Sequence, residues 1–140
     1  MNKVIFLSNK DDWETPQDFY DKLNDEFHFT LDPCADENNH KCEKYFSRND
    51  NGLLQDWGGH TVFVNPPYGA KSTSDWIRKC SEESHKPNTT VVMLIPARTD
   101  TKAFHEYIYN KAEIRFVKGR LKFGGSKNSA PFPSMVVVFR

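Results

Sequence analysis

This sequence of 140 residues has few cysteines and no long apolar run. The cysteines number only three, Cys34, Cys42 and Cys80, and the first residues contain no apolar signal-peptide core. No apolar run approaches the roughly 20 residues needed to span a bilayer. These absences exclude a disulfide-stapled secreted scaffold and a membrane protein. They predict one soluble domain over residues 1–140, with residues 1–10 as an N-terminal extension, in a reducing cytoplasm.

The sequence also lacks a net charge, because 19 Lys/Arg are balanced by 19 Asp/Glu. The charges are unevenly distributed, with 6 Lys/Arg against 13 Asp/Glu in residues 1–60 and 7 against 1 in residues 111–140. The basic C-terminal part could face phosphate, or it could be a solvated face that the acidic half balances after folding. Charge alone favours neither interpretation.

Hydrophobic periodicity and turn residues predict an α/β domain. The patterns indicate helices at 15–27, 36–44, 74–84 and 101–110. Strands are predicted at 29–31, 45–47, 61–64, 90–95, 114–117, 121–123 and 135–139. Alternation of short strands with helices favours a mainly parallel sheet, and the helix-free end of the chain favours an antiparallel C-terminal hairpin at one edge.

The tetrapeptide Asn65-Pro66-Pro67-Tyr68 ends a predicted strand. An amino group on an aromatic ring is a poor nucleophile, since its lone pair is delocalised into the ring. The Asn65 side-chain oxygen and the Pro66 carbonyl could accept its two protons and promote attack on a bound sulfonium methyl. Pro67 would stiffen the turn, and Tyr68 would offer a ring for stacking a flipped base. The alternative is an ordinary strand-ending turn.

A second candidate site follows the strand predicted at 29–31, since ligands bind beyond the carboxyl ends of parallel strands. Asp32 could hydrogen-bond a ligand amine or ribose, and the residues after it are small enough to admit a ligand: Pro33, Cys34 and Ala35. Capping of a turn is the alternative role for Asp32. Asp50 and Asp56 are weaker candidates of the same kind.

Cysteine chemistry is a less favoured interpretation. Cys34, His40 and Cys42 match no common zinc spacing and have no obvious fourth ligand, so no metal is predicted. A thiolate nucleophile at Cys34 would leave the Asn65 turn redundant.

The C-terminal segment interleaves basic and aromatic residues around glycines. Cations can contact phosphates and aromatic rings can contact bases. An edge hairpin with inward aromatics is the alternative. The basic residues are Arg115, Lys118, Arg120, Lys122 and Lys127, and the aromatic residues are Phe116, Phe123 and Phe132.

A series of short motifs runs along nearly the whole chain after about residue 10. They are Asp12-Trp13-Glu14-Thr15-Pro16, Leu31-Asp32-Pro33-Cys34-Ala35, Gly52-Leu53, Asp56-Trp57, Asn65-Pro66-Pro67-Tyr68, Ile95-Pro96-Ala97-Arg98-Thr99-Asp100-Thr101 and Gly119-Arg120-Leu121-Lys122-Phe123. Together they resemble the phage-type DNA N6-adenine methyltransferases, the Dam family.

The resemblance implies a compact, Rossmann-like methyltransferase fold that uses S-adenosylmethionine, with Asn65-Pro66-Pro67-Tyr68 as the catalytic motif. It implies cofactor binding at Asp32 and at the element formed by Trp13, Thr15 and Pro16. The sequence departs from general methyltransferases in having Cys34-Ala35 where a Gly-x-Gly loop is expected.

The implied partner is double-stranded DNA in a bacterial host cell. A chain of this length has little space for a recognition domain, so Arg98, Lys102 and the segment 119–133 remain for reading DNA, unless a second copy of the chain helps in a homodimer. Three alternatives stay open: methylation of RNA or of protein glutamine, a catalytically silent DNA-binding module, and a nucleotide-binding protein without transfer activity.

Overall fold

The computed structural model of the protein describes residues 13–125 and 127–140. The predicted N-terminal extension at residues 1–10 lies outside the described residues. Four strands form a sheet in the order β1-β2-β4-β3. They are β1 (Thr61–Val64), β2 (Thr90–Pro96), β3 (Glu113–Phe116) and β4 (Ser134–Phe139).

The strand directions confirm the predicted α/β class and change its details. β1 and β2 are parallel, whereas β4 is antiparallel to both of its neighbours. Three of the four strands therefore point the same way, but two of the three ladders are antiparallel and the sheet is mixed. β4 lies between β2 and β3, and the antiparallel pair of β3 and β4 stands at one edge of the sheet, which confirms the predicted antiparallel C-terminal hairpin.

The strand predicted at 121–123 is absent from the described residues. A 3₁₀ turn, Phe123–Gly125, stands there instead, with Gly124 in the left-handed region at φ 59°. The Leu121 carbonyl accepts a hydrogen bond from the Ala130 amide at 2.8 Å. Because this bond closes a local loop, the segment joins no neighbouring strand.

In the described part of the chain, two α-helices flank the strands: α1 (Gln17–Phe27) and α2 (Ala70–Ser84). Pro16 stands at the start of α1, where its missing amide hydrogen costs nothing. The spacing of Trp76, Ile77 and Cys80 places one apolar stripe of α2 against β2. The helix predicted at 101–110 is a short π-helical segment, Phe104–Ile108. None of the described helices combines the length and apolarity that a membrane crossing requires.

The chain between α1 and β1 has little regular structure. Leu31 bridges Val62 in the parallel direction, and Asp32 bridges Tyr45, so the strands predicted at 29–31 and 45–47 are reduced to single bridges. The helix predicted at 36–44 is wrong. The Asp36 carboxylate accepts the backbone amides of two residues just after it, each at 2.8 Å, and this local bonding competes with a helix.

The core is the sheet itself, since every residue of β4 and all but the first of β2 are buried. Strands covered on both faces appear in the sequence as continuous apolar runs, as Val91 to Ile95 does. The 29–31 segment lies beside β1 and runs in the same direction. Asp32 and Asn65 therefore emerge at the same edge of the sheet.

Candidate active site

A cleft of about 680 Å³ opens at this edge of the sheet. Its volume is within the range of small-molecule sites, roughly 300–1,000 Å³. Three segments that the sequence analysis singled out line it together: Trp13 to Thr15, Asp32 to Ala35, and Asn65 to Pro67. The structure thus joins the predicted catalytic turn to most of the predicted cofactor-binding residues.

Asn65 is held from both ends of its carboxamide. The Nδ2 amide donates to the backbone carbonyl of Trp13, and the Tyr68 hydroxyl donates to Oδ1. An amide oxygen has two lone pairs, so one remains after the Tyr68 hydrogen bond. Asn65 can therefore accept a further hydrogen bond from a ligand in the cleft.

Pro66 and Pro67 also line the cleft and fix the course of the chain after β1. The Pro67 carbonyl accepts a hydrogen bond from the Thr73 hydroxyl in the first turn of α2, at 2.9 Å. The Tyr68 carbonyl accepts one from the Arg98 guanidinium at 3.1 Å. The turn is consequently anchored to both α2 and the chain after β2.

The position of Tyr68 differs from the expected one. Its side chain is buried, only 3% exposed, instead of offering an open face for base stacking. The ring packs edge-on against Phe132 and Phe123, with centroids 5.5 and 6.1 Å away. The hydroxyl also lies 3.1 Å from the Leu94 carbonyl, and burial raises the pKa of Tyr68 well above its usual value. Tyr68 thus supports the turn, and its ring faces the aromatic cluster.

Asp32 is a buried carboxylate on the cleft wall, 5% exposed. Its Oδ2 accepts the Lys41 amide at 2.9 Å and its Oδ1 accepts the Cys34 amide at 3.3 Å. Burial raises the pKa of Asp32, and the two backbone amides partly offset this effect. Asp32 therefore caps its own turn, which was the alternative role, and also presents acceptor capacity to the cleft.

A close backbone contact at Gly52 forms another part of the cleft wall, and the sequence analysis named this residue only in the Gly52-Leu53 motif. A Cβ atom at Gly52 would lie 2.0 Å from the Pro33 carbonyl oxygen. Asn51 before it adopts the left-handed region at φ 54°, and the Trp57 indole donates to the Gly52 carbonyl at 3.0 Å. Asn-Gly is a common turn dipeptide, but nothing local in the sequence indicates the contact between Gly52 and Pro33.

The structure does not bring the other two candidate aspartates into the cleft. The Asp50 carboxylate accepts the backbone amide and the hydroxyl of Ser47, at 2.9 and 3.0 Å, and so holds a local turn. Asp56 is exposed and pairs with Lys86 at 2.8 Å, and its pKa is lowered by this hydrogen bond. Neither lines the cleft, and their cofactor contacts stay predictions.

Pro16 lies at the edge of a smaller cavity of about 510 Å³. Glu14, Thr15 and Lys41 line both cavities, and Lys122 lines the smaller one. Pro16 therefore sits next to the cleft without lining it.

Arg115 does not behave as the free cation that DNA binding would require. Its guanidinium forms two hydrogen bonds to Glu26, at 2.7 and 2.8 Å, and a third to Glu113 at 2.5 Å. These carboxylates raise the pKa of Arg115 above its ordinary value. Glu26 and Glu113 thus compensate its charge in an ion pair between β3 and α1, and the DNA contact at Arg115 stays a prediction.

The remaining basic candidates lie at the surface. Arg120 donates to the Ala130 carbonyl at 3.2 Å and steadies the loop before β4. The exposed residues are Arg98, Lys102, Lys118, Arg120, Lys122 and Lys127. Of the three aromatic residues that could contact bases, only Phe116 is strongly exposed. Phe123 is buried, and Phe132 packs on Tyr68.

The residues considered for metal binding are placed in separate roles. His40 stacks on Tyr45 with ring centroids 3.9 Å apart and contacts the Cys42 carbonyl through Nδ1 at 2.8 Å. Cys42 lies 3.5 Å from the Tyr20 hydroxyl. Within residues 13–125 and 127–140, no three His, Cys, Asp or Glu side chains converge as a metal site would require.

The sequence was compared with protein families and with individual known proteins, and both comparisons identify DNA methyltransferases as similar. The DNA N-6-adenine-methyltransferase (Dam) family matches residues 4–140. A DNA N-6-adenine-methyltransferase of Haemophilus phage HP1 (strain HP1c1) is 31% identical over 140 residues, which covers 94% of this chain and 80% of the relative. One of Escherichia phage T1 is 35% identical over 114 residues, covering 80% of this chain and 47% of the relative.

A weaker similarity is found among solved structures. The 23S rRNA methyltransferase ErmE aligns with 91% of this chain and 50% of its own, with 16% sequence identity and a TM-score of 0.43. The family match and the phage HP1 relative each span nearly the whole sequence. On those two findings, the chain belongs to the DNA N-6-adenine-methyltransferase (Dam) family.

Proposed function

We propose that the family's activity, methylation of the exocyclic N6 amine of adenine in double-stranded DNA, is carried out in this chain at the cleft between Asp32 and Asn65. One observation carries the proposal. The cleft brings the acceptor turn at Asn65 and Pro66 together with the buried Asp32 carboxylate and the Trp13 to Thr15 segment. The biological setting would be modification of phage or prophage DNA in the cytoplasm of a bacterial host.

The cleft is suited to S-adenosylmethionine by its shape and by its mixture of polar and apolar walls. Phe63, Leu53 and Trp76 supply apolar surface for a flat base. The Asp32 carboxylate can accept hydrogen bonds from a ribose hydroxyl or an ammonium group. When bound, this cofactor supplies an electrophilic methyl group on a positively charged sulfur.

The chain's own part in the transfer is to activate and place the adenine amine. Asn65 Oδ1, through its free lone pair, and the Pro66 carbonyl would each accept a hydrogen bond from the N6 amine. These two hydrogen bonds would draw the nitrogen lone pair out of the ring. Neither group titrates near neutral pH, so the excess proton of the methylated amine leaves to water. Most of the acceleration then comes from alignment and from these two acceptors.

Asp32→Asn is expected to weaken binding of S-adenosylmethionine about 10- to 100-fold, because hydrogen bonds to a charged acceptor contribute roughly 1.5–3 kcal/mol. Isothermal titration calorimetry would measure the dissociation constant. Asp56→Asn is the matched control and should leave it unchanged, since Asp56 pairs with Lys86 outside the cleft. Equal affinities for wild type and Asp32→Asn would remove Asp32 from the cofactor site.

Binding to DNA should depend on the exposed lysines and not on Arg115. Replacing Lys118, Lys122 and Lys127 by alanine should reduce the slope of log affinity against log salt by about 0.9 for each phosphate that a lysine neutralises in wild type. Arg115→Ala should leave that slope unchanged, because Glu26 and Glu113 already compensate its charge. Fluorescence anisotropy at several salt concentrations makes the comparison, and a smaller slope with Arg115→Ala would contradict it.

Substrate class is tested by offering labelled S-adenosylmethionine with unmethylated DNA, with RNA and with a protein extract. The proposal requires label in DNA and its loss with Asn65→Ala. Label in RNA or protein alone would replace the substrate assignment. Cofactor binding with no transfer to any of the three would indicate a silent module of the same fold.

A further inference from the structure

We infer that the backbone carbonyl of Trp13 selects asparagine over aspartate at position 65 and fixes which end of the carboxamide faces the substrate. This inference rests on the proposed function and adds a positioning group to it. The Asn65 Nδ2 amide donates to the Trp13 carbonyl, while Oδ1 accepts from Tyr68. An acceptor on one side and a donor on the other match a carboxamide in one orientation only.

A carboxylate at position 65 would not satisfy the same surroundings. An ionised carboxyl group has acceptors only, so one of its oxygens would face the Trp13 carbonyl oxygen without a proton between them. An unsatisfied pair of this kind costs the desolvation of the group that has no partner. The new side chain would therefore rotate away from Trp13 and lose the placement of the substrate acceptor.

The Trp13 carbonyl can act as a fixed reference because its segment is tied down on both sides. The Trp13 ring packs edge-on against Phe132 and Phe123, with centroids 5.1 and 5.7 Å away. The next carbonyl, that of Glu14, accepts the Gly124 amide at 2.8 Å. The loop before β4 therefore holds the segment that orients Asn65.

The Tyr68 hydroxyl completes the arrangement as a positioning group. It carries a single proton, which it can donate either to Asn65 Oδ1 or to the Leu94 carbonyl. Donation to Asn65 leaves one Oδ1 lone pair for the adenine amine. The two catalytic requirements, a fixed carboxamide and a free lone pair, are thus met by groups from two separate segments, the one at Trp13 and the turn that contains Asn65 and Tyr68.

Asn65→Asp tests the inference through its pH dependence. At pH 8 the variant is expected to transfer methyl groups at least about 100-fold more slowly than wild type, because the placed acceptor is missing. On acidification its rate should rise relative to wild type, because a protonated carboxyl can donate to the Trp13 carbonyl and restore the pattern. A wild-type rate at pH 8, or a deficit that does not shrink on acidification, would overturn the inference.

Other titratable groups lie near position 65, so the pH dependence of the methyl-transfer rate has to be measured for wild type as well. These groups are Tyr68 beside it, Arg98 at the Tyr68 carbonyl, and the cleft residues Glu14, Asp32, Cys34, Asp36, Lys41 and Arg48. Protonation of Asp32 would affect both proteins equally. Only the ratio of the two rates reports on position 65.

Two readouts separate this inference from the proposed function. In Asn65→Asp, carbon-13 NMR should find the new carboxyl titrating well above the ordinary aspartate value of about 3.9. In wild type, the side-chain amide protons of Asn65 should exchange with solvent more slowly than those of the exposed Asn88. If both hold while DNA is not methylated, the proposed function fails and the inference stands. An ordinary titration with fast Asn65 exchange would overturn the inference, whatever the activity.

Discussion

The Asn65→Ala chain is expected to transfer methyl groups to adenine about 10²- to 10³-fold more slowly than wild type, as removal of one preorganised hydrogen-bonding group does in other enzymes. The substitution removes the Oδ1 acceptor that Tyr68 orients and leaves the Trp13 carbonyl without its donor. Single-turnover rates with saturating cofactor and DNA measure the effect on chemistry apart from binding.

Cofactor affinity has to be measured beside the rate, because Asn65 and Asp32 line the same cleft and only Asp32 is proposed to bind the cofactor. The Asn65→Ala chain should bind S-adenosylmethionine within about threefold of wild type, which is the pattern of a residue that acts in the transition state. Asn38→Ala, at an exposed position, is a matched control and should keep the wild-type rate. A wild-type rate for Asn65→Ala would remove the acceptor mechanism.

Gly52→Ala is expected to lower the free energy of unfolding by about 1–3 kcal/mol, the usual range for overpacking a well-filled site. The added methyl would lie 2.0 Å from the Pro33 carbonyl oxygen and 3.0 Å from the Trp76 ring. Backbone must therefore move, and it is the backbone next to Asp32. Cofactor affinity should fall together with stability, which chemical denaturation and calorimetry would measure separately.

Gly58→Ala is the control for the general effect of replacing glycine. Its new methyl would meet side-chain atoms, with Asp56 Oδ1 at 3.0 Å and Lys86 Cδ at 3.3 Å. These can move away at little cost, so stability should change by less than about 0.5 kcal/mol. If both variants were equally stable, the close approach of Gly52 to Pro33 would not be part of the native fold.

Sequence patterns alone predicted correctly the elements whose apolar residues pack into the core. The run from Val91 to Ile95 is a buried strand, and the residues that predict α2 form its buried face. Predictions failed where a single side chain or bond redirects the backbone. The Asp36 carboxylate closes a turn in place of a helix, and the bond from Ala130 to Leu121 closes a loop in place of a strand.

In the candidate site, too, some features could be predicted from the sequence and others could not. Asp32 and Asn65 were found because each ends an apolar segment, and parallel segments bring such ends together. Tyr68 packs against Phe132, which lies 64 positions later in the chain. Arg115 forms two hydrogen bonds to Glu26, which lies 89 positions earlier. Periodicity and spacing contain no information on contacts of that range.

The most direct measurement is a crystal structure of the chain with S-adenosylhomocysteine, the product of methyl transfer. We expect the ligand in the cleft between Asp32 and Asn65, with a hydrogen bond to the Asp32 carboxylate and the sulfur facing the Asn65-Pro66 turn. A ligand bound elsewhere, or one in the cleft with its sulfur turned away from Asn65, would contradict the account.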